Sequence, residues 1–273
     1  MTKAFAPGNP SCVFVICPDK DPAKMGSLGV GISLQKGVIV SAKKSRKLVV
    51  KVNDKNMYFP TVLDVIRELA EEPVFVKIKY HFPYGCGFGM SGASALATAY
   101  ALNELFKLKK TNRELAMIAH IAEVNNRTGL GDVGGQFNGG ITAKYEKGNP
   151  LKGIRLPIKN EYIYYKIFGP IDTKKVITNE KIRGRINKAG LLALKKIKSL
   201  RKKNLSDIIR ISKEFSVKSG LLRDKRVKSL IAEIEKDGNA ASMVMLGNAV
   251  YSDKPFKGCN RARISYEGAR VLK

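Results

Sequence analysis

Three oxygen-bearing side chains, Ser91, Glu123 and Asp132, follow one another at spacings that suit work on a phosphate. Ser91 closes the glycine-rich run Tyr84-Gly-Cys-Gly-Phe-Gly-Met-Ser91-Gly92, where an Ala- and Leu-rich helix over 91–106 should begin. Glycines let backbone N–H groups face a ligand and tolerate the left-handed turns such a loop needs. A helix start adds unpaired amides and partial positive charge, so the junction is a candidate phosphate cradle. Glu123 lies on the next helix, predicted over 111–126 and opened by the capping box Thr111-Asn-Arg-Glu114. His120, Glu123 and Arg127 share one face of it, opposite the apolar stripe of Leu115, Ile118, Ala119 and Ala122. Nine residues beyond Glu123, Asp132 sits in the glycine-rich stretch 128–140, read as a loop. A hydroxyl and a carboxylate are hard-oxygen ligands for Mg²⁺, and a further carboxylate can orient or deprotonate an acceptor hydroxyl. Each residue also has a plain structural reading: helix cap, solvated glutamate, turn aspartate. Order and spacing together favour the chemistry.

The letters Gly87-x-Gly89-x-x-Gly92 also fit a dinucleotide-binding pattern. That reading needs a βαβ unit with an acidic residue about 20 residues on. Here helix 91–106 runs through Lys107-Leu-Lys-Lys into another helix, and no second strand arrives. No Gly-Lys-Ser/Thr closes the loop, so a Walker A loop is excluded too.

The elements that must position these groups follow from periodicity. Residues 73–81 alternate apolar and polar and read as the strand that feeds the loop. Before it, 11–17, 31–34, 38–43 and 48–52 read as strands, 24–29 as a loop, Ala4 to Gly8 as a turn, and 61–71 as a helix. A second part begins near Lys152, giving expected units of 1–150 and 151–273. It holds a strand over 161–167, helices near 173–181, 184–199, 205–219 and 225–236, an apolar approach over 241–246 and a strand over 262–266. Strands and helices mix without a βαβ rhythm, which makes the class α+β.

At 273 residues and 44% hydrophobic composition the chain can bury a sizeable core. The N-terminus lacks a long apolar core and no apolar run would span a bilayer, so a cytoplasmic protein with no membrane partner is expected. The four cysteines show no metal spacing; Cys86, inside the glycine loop, is expected to be open to alkylation. The net charge of +27 admits a nucleic acid. The excess in 174–228 interleaves with apolar residues at helical spacing, however, and reads as a solvated helix face that steers anionic small molecules. The sequence leaves a homodimer open.

The fuller pattern Pro83-x-x-x-Gly87-Phe-Gly-Met-Ser91-Gly-Ala93 resembles the second motif of the GHMP kinases. Ala6-Pro-Gly8 resembles their first motif, and 242–248 the third, without its usual glycines. Within that superfamily, Gly87 to Gly92, His120-x-x-Glu123, Gly131-Asp-Val-x-x-Gln-x-x-Gly-Gly140 and Met-Leu-Gly-Asn248 are similar to archaeal pantoate kinases. The resemblance implies the GHMP kinase fold: an N-terminal domain like ribosomal protein S5 domain 2 and a ferredoxin-like C-terminal domain. It implies ATP bound over Pro83, Gly85, Gly87, Phe88, Gly89, Met90, Ser91, Gly92 and Ala93, with Mg²⁺ held by Ser91 and Glu123. Asp132 would contact the acceptor hydroxyl, and Ser27, His120, Lys144 and Thr173 would surround pantoate in a step of coenzyme A synthesis. Two positions depart from the pattern. Asn9 stands where the family has His, and Lys144 where it has Arg. Another GHMP kinase, with shikimate, homoserine or mevalonate as acceptor, stays open, as does an RNA-binding protein on an S5-like fold.

Overall fold

The strand that feeds the glycine loop is central in its sheet, which fixes the loop's base. In the computed structural model, which describes residues 1–171 and 180–273, this strand is β7 (Val74–Tyr80). It lies between β4 (Leu34–Lys44), antiparallel, and β5 (Val49–Val52), parallel, in a six-stranded sheet. β1 (Thr2–Gly8), β6 (Lys55–Asn56) and the chain's last strand, β14 (Arg270–Leu272), complete it in the order β14-β1-β4-β7-β5-β6. One face carries α2 (Met90–Phe106), packed on β1 and β4 and flanked by α1 (Pro60–Leu69) and α3 (Asn112–Asn126). Every residue of α2 from Met90 to Leu102 is buried, and alternate alanines from Ala93 to Ala101 keep its girth small enough to be covered on all sides.

A second sheet orders β2 (Ser11–Cys17), β3 (Gly26–Ile32), β8 (Ile141–Lys144) and β9 (Ile154–Arg155). A third orders β11 (Ala241–Met243), β12 (Gly247–Ser252), β10 (Tyr162–Pro170) and β13 (Asn260–Arg263). Helices α5 (Glu180–Ser199) and α6 (Leu205–Lys218) pack together against β2, and α6 and α7 (Lys225–Lys236) cover β11. The class is α+β, as expected.

Several local expectations need correction. Ala4 to Gly8 is part of β1: Pro7 is accommodated beside a bulge, where pairing with β4 shifts register between Pro7 and Gly8. Residues 24–29, read as a loop, run into β3, where a side chain on Gly29 would strike the Val13 carbonyl. The stretch 128–140 is not all loop, because Asp132–Asn138 forms a short helix, α4. Cys86 is buried beneath the loop, at 2% exposure, so alkylation is not favoured there. The helix expected near 173–181 falls largely outside the described residues. Division into two units near residue 150 remains a proposal; β9 pairs with β8, and β14 with β1, across that boundary. No helix among the described residues is long and apolar enough to cross a membrane.

Candidate active site

The glycine loop closes β7 onto α2 through three left-handed residues, Gly85, Gly87 and Gly89, with φ of 77°, 81° and 68°. A Cβ on Gly87 would lie 2.5 Å from the Met245 carbonyl oxygen, and one on Gly247 would strike the Cys86 carbonyl. Loop and 244–247 turn thus touch backbone to backbone. That turn carries the third motif, and Leu246 takes φ of 62° in it, a conformation that costs a non-glycine residue about 1 kcal/mol. Beneath the loop, Phe82 and Phe88 stack at 4.2 Å, with Tyr165 edge-on to both. Four further bonds fix the loop: Asn9 N–H donates to the Phe88 carbonyl, Ile171 N–H to Gly85, Ala93 N–H to Gly89, and the Gln136 amide to Gly89 at 2.7 Å. The result is a backbone cradle at a helix start, with room for an anion where side chains would otherwise stand.

Ser91 does not cap this helix. Gly89 is the N-cap, and the Ser91 hydroxyl, 8% exposed, has no hydrogen-bond partner among the described residues. Glu123, 1% exposed on α3, accepts from the Thr128 hydroxyl at 2.9 Å through Oε1, while its Oε2 is buried and unpartnered. Burial first, then the nearby Asp132 charge, push the Glu123 carboxyl above the ordinary range; the Ser91 hydroxyl stands close enough to oppose the shift without forming a well-aligned hydrogen bond. An orphaned hydroxyl beside an orphaned carboxylate oxygen suits Mg²⁺, whose remaining ligands would be phosphate oxygens and water. Among the described residues there is no cluster of three or more His, Cys, Asp or Glu side chains for a metal, so an ion here would depend on such outside ligands.

Asp132 opens α4. A Cβ on Gly89 would lie 3.2 Å from its Cγ, and one on Gly129 3.3 Å from its Oδ2, so glycines on two segments let the carboxylate lie against both loops. Burial raises its pKa to about 6, opposed by the Asn9 amide beside it. Asn9, at 3% exposure, is wedged between Gly31 and Gly135, where a Cβ on either would come within 3.0 Å of its amide. A neutral amide thus stands beside Asp132 at the first departure from the family pattern.

A cavity of about 310 Å³ joins these parts. Ser27, Gly85, Gly87, Phe88, Gly89, Met90, Ser91, Asp132 and Lys144 line it, together with Asn9, the first departure from the family pattern, and Tyr84, which was not expected as a site residue. Gly92, Ala93 and Glu123 lie buried behind its wall, Pro83 is exposed and does not line it, and Thr173 lies outside the described residues. His120 is also behind the wall: Nε2 lies 2.8 Å from the Met25 carbonyl, and burial lowers its pKa, which makes it a neutral brace for the segment leading into β3. Lys144 is paired in register with Gly29, its Nζ 3.7 Å from the place a Cβ on Gly26 would take. It is half-buried, forms no ion pair among the described residues, and burial pulls its pKa down, so a bound anion would restore its charge balance.

A phosphate cradle at a helix start, a hydroxyl–carboxylate pair behind it and a second carboxylate against the same loop are the parts a phosphoryl transfer needs. The model for the GHMP kinases N terminal domain matches residues 57–140. The chain is 35% identical over 252 residues to the pantoate kinase of Methanocaldococcus jannaschii, covering 90% of each chain. It is 33% identical to that of Methanospirillum hungatei, covering 91% of this chain and 86% of the relative. A solved phosphotransferase related to the CoA biosynthesis pathway superposes with a TM-score of 0.85 at 27% identity, over 99% of this chain and 98% of that one. The chain belongs to the pantoate kinase family of the GHMP kinases.

Proposed function

We propose that this protein transfers the terminal phosphoryl group of ATP to the primary hydroxyl of (R)-pantoate, giving 4-phosphopantoate and ADP. The observation that carries the reading is a single cavity joining the glycine loop, Ser91 and Asp132 to the unpaired Lys144. Its acceptor end thus offers a carboxylate for a hydroxyl and a cation for an acid, the two ends of a hydroxy acid. The full-length likeness to pantoate kinases selects that acid.

In this mechanism the loop amides and the start of α2 hold the triphosphate. Mg²⁺ held by Ser91 and Glu123 would neutralise charge on the phosphate oxygens. Asp132 receives the acceptor's proton as the new oxygen–phosphorus bond forms and the bond to the ADP oxygen breaks. Lys144 holds the acceptor carboxylate, and His120 braces the segment that carries Ser27. The basic helix faces are solvent-exposed and partly paired, as in Lys196 with Glu214 at 2.6 Å. RNA binding requires none of Ser91, Glu123 or Asp132. The test is ADP release from ATP with pantoate, homoserine, mevalonate and shikimate in turn; preference for any acceptor but pantoate would reject the assignment.

Lys144→Met, which keeps the stem and removes the charge, should raise the pantoate KM about 10- to 150-fold, the worth of a hydrogen bond to a charged group. The ATP KM should hardly move. Lys196→Met, on an exposed and already paired side chain, should change neither constant. Equal effects of the two substitutions would mean that the overall positive field, not Lys144, recruits the acid.

A further inference from the structure

We propose that the phenol of Tyr84 donates a hydrogen bond to a phosphate oxygen of the nucleotide, an inference that rests on the kinase reading above. Tyr84 belongs to the glycine loop and lines the same cavity as Ser91 and Asp132. Its ring is held from two sides. It stacks on Tyr80, with centroids 6.2 Å and planes 13° apart, and meets Phe59 edge-on at 5.9 Å. Tyr80 is in turn tied to α2, its phenol oxygen accepting from Ser94 at 3.2 Å. A ring fixed in this way loses little rotamer freedom when its hydroxyl engages a ligand.

Tyr84 lines the cavity together with Ser91 at the start of α2. A phenol ordinarily titrates at about 10, so at neutral pH the group keeps its proton and is a donor. Unlike Ser91, Tyr84 stays 47% exposed, which leaves it open to the cavity. A fixed neutral donor beside converging helix-start amides fits an anionic oxygen, and a phosphate offers several. A clamp for the loop would need only the ring; the hydroxyl has no place in that role.

Tyr84→Phe keeps both ring contacts and removes the hydroxyl alone. Calorimetric titration of the full chain with ATP, and separately with inorganic tripolyphosphate, reads the contact without turnover. Both affinities should fall by about tenfold or more, with the melting temperature unchanged. Parent-like affinity for both ligands overturns the proposal. So does a loss confined to ATP, which would place the phenol on the nucleoside, or a loss accompanied by a melting temperature several degrees lower, which would make the hydroxyl structural. If the parent binds no ATP, the kinase reading fails with it; if the parent binds ATP and Tyr84→Phe matches it, only this proposal fails.

Discussion

Glu123→Gln should yield a protein that melts higher than its parent at neutral pH and above, yet needs far more Mg²⁺ to turn over. The first half follows from burial. The Glu123 carboxyl is held above the ordinary carboxylate range by desolvation and then by Asp132. A carboxyl with a raised folded-state pKa binds its proton more tightly folded than unfolded. Its contribution to stability is therefore present at low pH and is lost as pH rises from the ordinary carboxylate range through the folded pKa. Glutamine has no proton to lose. With chelator present, the two proteins should melt alike near pH 4 and diverge by several degrees near pH 8, at about 2–4 °C per kcal/mol for a chain of this size. The second half follows from ligand chemistry, since a neutral amide replaces a hard anionic oxygen. Half-maximal activity should need about tenfold more Mg²⁺ or beyond, by analogy with lost outer-shell partners. Melting curves that coincide at both pH values would mean Glu123 is not strained by its burial, and an unchanged Mg²⁺ dependence would remove it from the metal site.

The parts of this site that sequence revealed are those whose local chemistry agrees with their structure. The capping box at Thr111 is formed as written, with the Glu114 backbone N–H donating to the Thr111 hydroxyl oxygen and the Glu114 carboxylate accepting from the Thr111 N–H at 2.8 Å. The left-handed glycines of the loop are where a tight strand-to-helix turn requires them. What sequence concealed depends on distant segments. Helix α4 contains Gly134 and Gly135, which propensity assigns to a loop. A side chain at Gly134 would come within 2.5 Å of the Pro150 carbonyl, and one at Gly135 equally close to Asn9. Tertiary packing forms that helix because only glycines let it approach. Strand β14 was invisible for a different reason: Arg-Val-Leu is too short to show a period and gains strand character only through pairing with Lys3, Ala4 and Phe5 near the start of the chain.

The same distinction governs the acceptor end. Asn9, far in sequence from Asp132 and Lys144, lines one cavity with them because β2, β3 and β8 form one sheet while β1 delivers Asn9 beside Gly31 and Gly135. Removing a cation near an aspartate ordinarily lets its pKa rise. Here the Asn9 amide moderates a shift that burial drives, so Asp132 is tuned by desolvation rather than by a paired charge. A carboxylate tuned in this way is a better proton acceptor near neutral pH than an ion-paired one.

Asp132→Asn should therefore lower kcat by about 10²- to 10⁴-fold, the range for a positioned acid–base group, while ATP affinity stays near that of the parent. Asn fills the same volume against Gly89 and Gly129, so the glycine contacts that shape both loops are retained. The pH profile separates proton transfer from mere positioning. On the proposed mechanism the parent's turnover requires ionised Asp132, whose pKa burial raises to about 6. Activity should be present above that value and fall as pH drops through it, well above where an ordinary exposed aspartate would titrate. In the variant that acid limb should vanish, leaving a low rate that hardly varies between pH 5 and 8. Single-turnover kinetics with saturating ATP, Mg²⁺ and pantoate measure the chemical step itself. A variant with near-normal turnover would exclude Asp132 from the mechanism. A variant that is slow but keeps the parent's acid limb would assign that titration to another group and leave Asp132 as the residue that orients the acceptor hydroxyl.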